Sequence, residues 1–243
     1  NFREGLEKAK EKGIPVIDYD NLTPDTDAVS YYVTFDNYGV GEAMGKYIVQ
    51  QKGLRTGGGP YTLEFFSGSD TDSNARLMYQ GAYDVLKPYI DKGQIVVPSG
   101  QSDYASTAIK NWDSKNAEAR MKEIVQKYYQ GRNLDIVVAA SDGIAYGVID
   151  GLAGYSGTWP LISGQDADPK ARGYIRDGKM AFSIEKNSME LNRKCLRMIK
   201  AVVEGSHPEI NDVTTYNNGV VTVPTYLCTP RIIDRGNLEI VKR

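Results

Sequence analysis

Tyr61-Thr62-Leu63-Glu64-Phe65-Phe66, then Ser67-Gly68-Ser69-Asp70-Thr71-Asp72-Ser73-Asn74, then the run from Ala75 to Ile90, is the stretch that decides the fold. The first six residues are a short apolar and aromatic run without clean alternation, which predicts a strand buried on both faces. The last part repeats apolar residues at helical spacing, with Leu77, Met78, Ala82, Val85 and Leu86 on one stripe, and predicts a helix over 74–90. Between them lies a polar turn of eight residues. A strand, a polar loop and an amphipathic helix together form one half of a parallel crossover unit.

The same unit recurs in both directions. Upstream, Asn1 to Gly13 reads as an amphipathic helix with Phe2, Leu6 and Ala9 on one face. Ile14–Tyr19 and Tyr31–Phe35 read as strands, and Val40–Gln51 as a helix. Downstream, strands are expected at Ile95–Val97, Ile136–Ala139, Leu161–Ile162, Met180–Ile184 and Val220–Leu227. Helices are expected around Ala117–Tyr128, Ile144–Leu152, Lys170–Arg176 and Met189–Val203, the last carrying Leu196, Ile199 and Val203. Short buried strands alternating with helices give a doubly wound α/β fold with parallel sheets. The end from Gly236 to Arg243 reads as a surface tail.

Composition narrows the function. The 243 residues carry 29 Lys+Arg and 31 Asp+Glu, a formal net charge of −2. Nucleic acid and anionic membranes call for clustered positive charge, so a polyanion binder is not expected. No run approaches the roughly 20 apolar residues of a membrane span. Cys195 and Cys228 are too few for a disulfide framework or a structural zinc site, and read as free thiols. With His207 the one histidine, most acid–base and metal chemistry is removed, so neither a metal nor a cofactor is expected. The balance favours a binder over a catalyst.

In doubly wound sheets ligands bind at the carboxyl ends of strands. Here those ends share one chemistry: Asp20-Asn21, Asp36-Asn37, the Ser67–Asn74 loop, Ser141-Asp142, Ser163 to Asp168, and Glu185-Lys186-Asn187. Asp, Asn, Gln and Lys mix acceptors and donors without a dominant charge. A neutral polyhydroxylated ligand needs that mixture, because each of its hydroxyls both donates and accepts. Asp, Asn and Ser after strands are equally the usual helix N-caps, so any one of them has a structural alternative. Trp112 offers a flat apolar platform for the C–H face of a sugar ring, or else packs half-buried.

Other motifs are set aside. Gly39-Val40-Gly41-Glu42-Ala43-Met44-Gly45 is one residue too long for a dinucleotide fingerprint, and its glycines read as helix–sheet packing. Gly57-Gly58-Gly59-Pro60 has no Lys-Ser/Thr after it. There is no G-x-S-x-G elbow, and Asp70 and Asp72 share one loop, which suits binding better than glycoside hydrolysis.

The loops taken together resemble the periplasmic-type sugar-binding proteins of ABC importers, nearest the xylose-binding and multiple-sugar-binding members. The residues that carry the resemblance are Tyr19-Asp20, Thr34-Phe35-Asp36-Asn37, Asp72-Ser73-Asn74-Ala75, Leu86–Ile90 and Trp112-Asp113. Ser163 to Asp168, Lys186, Asn217-Asn218-Gly219, Val223-Pro224 and Thr229-Pro230 add to it, in collinear order over nearly the whole chain. The resemblance implies two Rossmann-like lobes joined by a three-strand hinge that closes around a monosaccharide, xylose or a related pentose or hexose. It implies sugar contacts at Asp20, Asp72, Asn74, Asp166 and Lys186, with Trp112 stacking on the ring. Asn21 stands where relatives have Arg, which replaces a five-donor fork by a shorter amide. Ser141, beside Asp142, stands where xylose-binding members carry Asn.

The expected lobes are 1–36 with 187–217, a partial N-terminal lobe, and 37–186 with 218–243. Crossings are expected near Phe35-Asp36, Ile184–Lys186 and Asn217–Gly219. Two or three β-α units, roughly 60 to 90 residues at about 30 per unit, are expected ahead of residue 1. The implied partner is an ABC permease in an extracytoplasmic setting, periplasmic or lipid-anchored, with membrane contact only through an anchor outside this chain. A sugar-sensing subunit signalling to a membrane histidine kinase is the first alternative, and the effector domain of a transcription repressor the second. An enzyme ranks last.

Overall fold

A computed structural model describes residues 2–240. Asn1, the first residue of the expected N-terminal helix, and residues 241–243 of the expected tail lie outside that range. The chain divides into two compact units: the part before Asn37 with Asn187–Pro230, and Asn37–Lys186 with the part from Arg231 onward.

In the first unit, α1 (Phe2–Glu11) leads into β1 (Val16–Tyr19) and β2 (Val29–Phe35). After the second unit's elements, α8 (Ser188–Val203) and β8 (Thr225–Cys228) return to it. The sheet is β1-β2-β8, all parallel, with Tyr32 opposite Thr225 and Phe35 opposite Cys228. Its core is Val33, Phe35, Leu191, Met198 and Cys228. The helix α8 turns a different stripe inward from the one expected. Leu191 and Met198 are buried against the sheet, while Leu196, Ile199 and Val203 are exposed together with Met189. Both stripes have helical spacing, so periodicity alone could not say which one meets the strands. In α1 likewise Leu6 is buried and Phe2 exposed.

The second unit holds β3 (Tyr61–Phe66), β4 (Ile95–Val96), β5 (Ile136–Ala139) and β6 (Leu161–Ile162) in the order β4-β3-β5-β6, all parallel. A parallel bridge between Gln165 and Ile184 brings β7 (Phe182–Glu185) alongside, and β9 (Arg231–Asp234) closes antiparallel on β7. The helices are α2 (Asn37–Gln51), α3 (Ser73–Asp91), α4 (Tyr104–Thr107), α5 (Ser114–Tyr128), α6 (Asp142–Gly151) and α7 (Pro169–Arg176). The strands are buried on both faces, largely by apolar side chains, and Leu63, Phe65, Phe66, Ile136, Val137, Ile162 and Phe182 are nearly or wholly inaccessible. Each such side chain contributes about 1.5–3 kcal/mol by leaving water.

Two expectations need correction. Residues 218–230, expected with the second lobe, belong to the first unit: β8 pairs with β2, and Asn218 Nδ2 donates to the carbonyls of Thr23 and Thr26 at 3.1 and 2.7 Å. The third crossing therefore falls after Pro230. The Asn217–Gly219 turn serves a bridge between Asn217 and Thr222 inside the first unit. Secondly, the helix-opening glycines pack helix on helix. A Cβ on Gly41 would lie 1.8 Å from the Met78 carbonyl oxygen of α3, and one on Gly45 2.8 Å from Val85 Cβ.

Candidate functional site

The parallel strands β3, β5, β6 and β7 end along one edge of the second unit's sheet. Six of the expected site residues follow those ends: Asp72, Asn74, Ser141, Asp142, Asp166 and Lys186, while Trp112 lies in the short 3-10 turn Lys110–Trp112 after α4. Asp20 and Asn21 belong to the first unit.

After β3, Asp72 is the N-cap of α3, its Oδ1 accepting from the amides of Asn74 and Ala75 at 2.8 and 3.4 Å. The structural alternative for this position, a helix N-cap, is thus the role its hydrogen bonds show, at about 1 kcal/mol. Asn74 is buried, 5% exposed, in the first turn. Ser69, which the sequence reading passed over, organises this loop. Its carbonyl accepts from Tyr104 Oη at 2.6 Å and its Oγ from the Asn111 amide at 3.3 Å. Burial pushes the Tyr104 phenol up to about 12, against the opposing pull of Arg76, whose guanidinium lies 4.6 Å above the ring.

Trp112 reaches the same edge through the segment that bridges Ser67 to Ala108. Asn111 and Trp112 both adopt left-handed backbone, φ 56° and 57°. The indole lies over Gly68: a Cβ there would stand 2.2 Å from Cη2 of the ring. The position admits a ring only because residue 68 has no side chain.

After β5, Ser141 caps α6, its Oγ accepting from the Ile144 amide at 3.2 Å. Asp142 is 1% exposed. Its Oδ1 accepts from Ser183 Oγ at 2.6 Å and its Oδ2 from the Asp168 amide at 2.9 Å. Burial pushes its carboxyl up to about 8. The two hydrogen bonds work against that rise and the charges of Asp166 and Asp168 add to it. The side chain is thus engaged inside the unit.

Asp166, after β6, is exposed, with left-handed backbone at φ 100°, and Ala167 follows at φ 49°. Gln165 is 4% exposed, and its Oε1 has no hydrogen-bond partner among the described residues. Ser183 carried no signal in the sequence, since it lies within a strand, whereas Gln165 stood out only as one polar residue of the Ser163–Asp168 loop. Lys186 follows β7, half-buried, beyond the Glu185 carboxylate that accepts from Arg231 Nε at 2.9 Å.

In the first unit Asp20 is left-handed, φ 63°. Its amide donates to the Val33 carbonyl at 2.9 Å, and its own carbonyl accepts from Tyr32 Oη at 2.5 Å and Thr34 Oγ1 at 3.1 Å. The Asp18 carboxylate accepts from the Thr23 amide at 2.6 Å and fixes the far side of that turn, where Asn21 is exposed. Asp20, Trp112 and Asp166 are three of six non-glycine residues with positive φ among the described residues. Strained backbone of this kind collects at functional sites.

Among the described residues no cluster of three or more His, Cys, Asp or Glu is placed to hold a metal ion, and no helix is long and apolar enough to cross a membrane. Cys195 and Cys228 are free thiols, both raised by burial.

A family model described as a periplasmic binding protein domain matches residues 1–207. The chain is 40% identical over 241 residues to the multiple sugar-binding periplasmic receptor ChvE of Rhizobium radiobacter, covering 97% of this chain and 68% of that protein. It is 33% identical over 236 residues to the D-xylose-binding periplasmic protein of Escherichia coli, covering 96% and 66%. The crystal structure of an ABC transporter solute binding protein from Clostridium phytofermentans with bound β-D-glucose superposes with a TM-score of 0.92. It is 43% identical and the match covers 97% of this chain and 73% of that one. The chain spans about two thirds of the length of the curated relatives it matches. Those relatives are solute-binding receptors, not enzymes. With parallel α/β sheets in two units and a domain match over most of its length, this chain belongs to the periplasmic binding protein family and has the type I fold.

Proposed function

We propose that this protein is an extracytoplasmic sugar-binding protein that captures a neutral monosaccharide, a pyranose of the D-glucose or D-xylose type, and hands it to an ABC permease. The observation that carries this reading is the left-handed backbone of Asp20, Trp112 and Asp166, the two carboxylates in loops at the carboxyl ends of parallel strands and the indole over Gly68 in the loop that follows β3. Such conformations persist only where the surroundings over-determine them, and here they present two carboxylates and an indole. Carboxylates accept charge-assisted bonds from sugar hydroxyls, and an indole covers the apolar face of the ring. Asp72, Asn74, Ser141 and Lys186 add donors and acceptors along the second unit's edge. Asn21 in place of a guanidinium makes that contact neutral, which suits hydroxyls over anionic sugars. The sugars named for relatives, xylose in one and bound β-D-glucose in another, set the ligands to try first.

Isothermal calorimetry of the full-length protein with D-glucose, D-xylose, D-galactose and L-arabinose tests this. At least one should bind in the micromolar range or tighter, and Asp166→Ala should weaken it at least tenfold, about 1.4 kcal/mol. The reading fails if no pentose or hexose binds, or if the Asp166→Ala protein binds as the wild type does. Uptake of the bound sugar by vesicles carrying the permease separates transport from a signalling role.

A further inference from the structure

Asp142 stands first in α6 at the sugar edge, yet both its oxygens are occupied within the protein. We propose that Asp142 is a positioning residue, which through Ser183 and the Asp168 amide holds the 164–168 turn in the strained shape that presents Asp166. The proposal rests on the monosaccharide reading above and assigns Asp142 a role apart from touching the ligand.

The turn is held at each of its peptides. The Ile184 amide donates to the Gly164 carbonyl at 3.0 Å, and the Asp166 amide to the Ile184 carbonyl at 2.8 Å. Asp142's own amide donates to the Gln165 carbonyl at 2.8 Å. The Ala167 amide donates to Ser183 Oγ at 3.0 Å, and Ser183 Oγ donates in turn to Asp142 Oδ1 at 2.6 Å. That last pair sets the direction of the chain of bonds. Because the carboxyl takes the Ser183 hydrogen, the hydroxyl's lone pairs are left facing the Ala167 N–H. The last peptide of the turn is held through the Asp168 amide, which ends on Asp142 Oδ2 at 2.9 Å. Gly164 permits the approach, since a Cβ there would lie 2.3 Å from Asp142 Oδ1.

Within this frame lie the two left-handed residues, Asp166 and Ala167, whose conformation is costly for any residue with a Cβ and endures only under such restraint. An amide in place of the carboxyl presents an NH2 group to one of two donors, so one arm of the restraint opens. The turn is then free to relax, and Asp166 leaves the geometry that the ligand meets. Preorganisation of this kind is read as affinity, because binding must otherwise restore the order itself.

The test is calorimetry with D-glucose, or with whichever of the four sugars the wild type binds, on full-length Asp142→Asn and Ser183→Ala. Each should bind about tenfold more weakly, equivalent to ~1.4 kcal/mol. Adding Ala167→Gly, which relieves the strain at φ 49° without replacing any lost bond, should recover most of that affinity in both. Their melting temperatures should stay lowered, and Ala167→Gly alone should bind as the wild type does. Ser183→Ala, the milder change, carries the test if Asp142→Asn does not fold. Wild-type affinity in Ser183→Ala or Asp142→Asn overturns the proposal and leaves the sugar reading intact. A loss that Ala167→Gly leaves untouched also overturns it, since the carboxyl then acts directly on the ligand or on the fold as a whole. A wild type that binds no monosaccharide removes the sugar reading itself, and this proposal with it.

Discussion

Gly41 on α2 and Gly81 on α3 face each other's backbone where the two helices cross. A Cβ on Gly81 would stand 2.1 Å from the Tyr38 carbonyl oxygen and 2.9 Å from the Glu42 nitrogen. On Gly41 it would stand 1.8 Å from the Met78 oxygen and 2.7 Å from the Ala82 nitrogen. Carbon and carbonyl oxygen close to about 3.3 Å, so Gly81→Ala parts the helices by about 1.2 Å and Gly41→Ala by about 1.5 Å. Gaps of about 0.5–1 Å already forfeit a quarter to a half of a dispersion contact. Val40, Met44 and Ile48 of α2, and Met78, Ala82 and Leu86 of α3, are all buried and belong to the same core cluster. Alanine would gain about 1 kcal/mol in helix propensity, but overpacking at the upper end of its range outweighs that. Each single substitution should cost about 2 kcal/mol net. One parting of the helices relieves both clashes, so the double variant should cost about 3 kcal/mol and not ~4. Urea unfolding followed by circular dichroism, with m-values compared, measures all three. Sugar affinity should fall as well, because α3 carries the Asp72 cap at the proposed site. Singles that cost under ~1 kcal/mol, or a double equal to the sum, would refute the shared-crossing argument.

Two further outcomes follow from the site. The Asp142 carboxyl is raised from 3.8 to about 8, chiefly by burial, with Asp166 and Asp168 adding to the rise and Ser183 and the Asp168 amide opposing it. The folded state therefore holds this proton between about pH 4 and pH 8 where the unfolded chain has released it, so stability falls with rising pH across that window and levels off above it. The destabilisation of Asp142→Asn relative to wild type should shrink from pH 5 to pH 8, by up to ~1.4 kcal/mol per unit, in paired urea titrations. A difference that stays flat or grows contradicts the assignment. Gly68→Ala should displace the Trp112 ring, which a Cβ would meet at 2.2 Å. In a Trp159→Phe background the emission should shift to the red and sugar affinity should drop about tenfold, whereas an unmoved spectrum would place the ring elsewhere.

Much of the fold was legible because it rests on local periodicity. Tyr61–Phe66, Ile136–Ala139 and Leu161–Ile162 are strands with the bounds read from their apolar runs, and α3 begins at Ser73 where the polar turn ends. What failed was what periodicity cannot carry. The expected strand Val220–Leu227 forms only as Thr225–Cys228, and its partner, which long-range pairing sets, is β2. The helix α8 has two apolar stripes, and only the sheet beneath it selects Leu191 and Met198. At the site, position after a strand drew attention to Asp72, Ser141, Asp142 and Asp166 alike. Hydrogen bonding then separated them: Asp72 and Ser141 cap helices, Asp142 is enclosed, and Asp166 stays exposed on a strained backbone. Ser183 was invisible because a serine inside a strand has no pattern of its own.

The sequence by itself determined an α/β protein of alternating buried strands and helices, with near-neutral polar loops at the strand ends and too little histidine or cysteine for metal or disulfide chemistry. Those properties depend on residue type and on spacing within about twenty positions. The tertiary structure alone decided which unit β8 joins, which face of α8 is covered, and that Asp142 turns inward onto Ser183 while Asp166 is held in a left-handed turn. Each of these depends on burial and on hydrogen bonds between segments far apart in the chain, where the free energy of a side chain is set by neighbours that its own stretch of sequence does not contain.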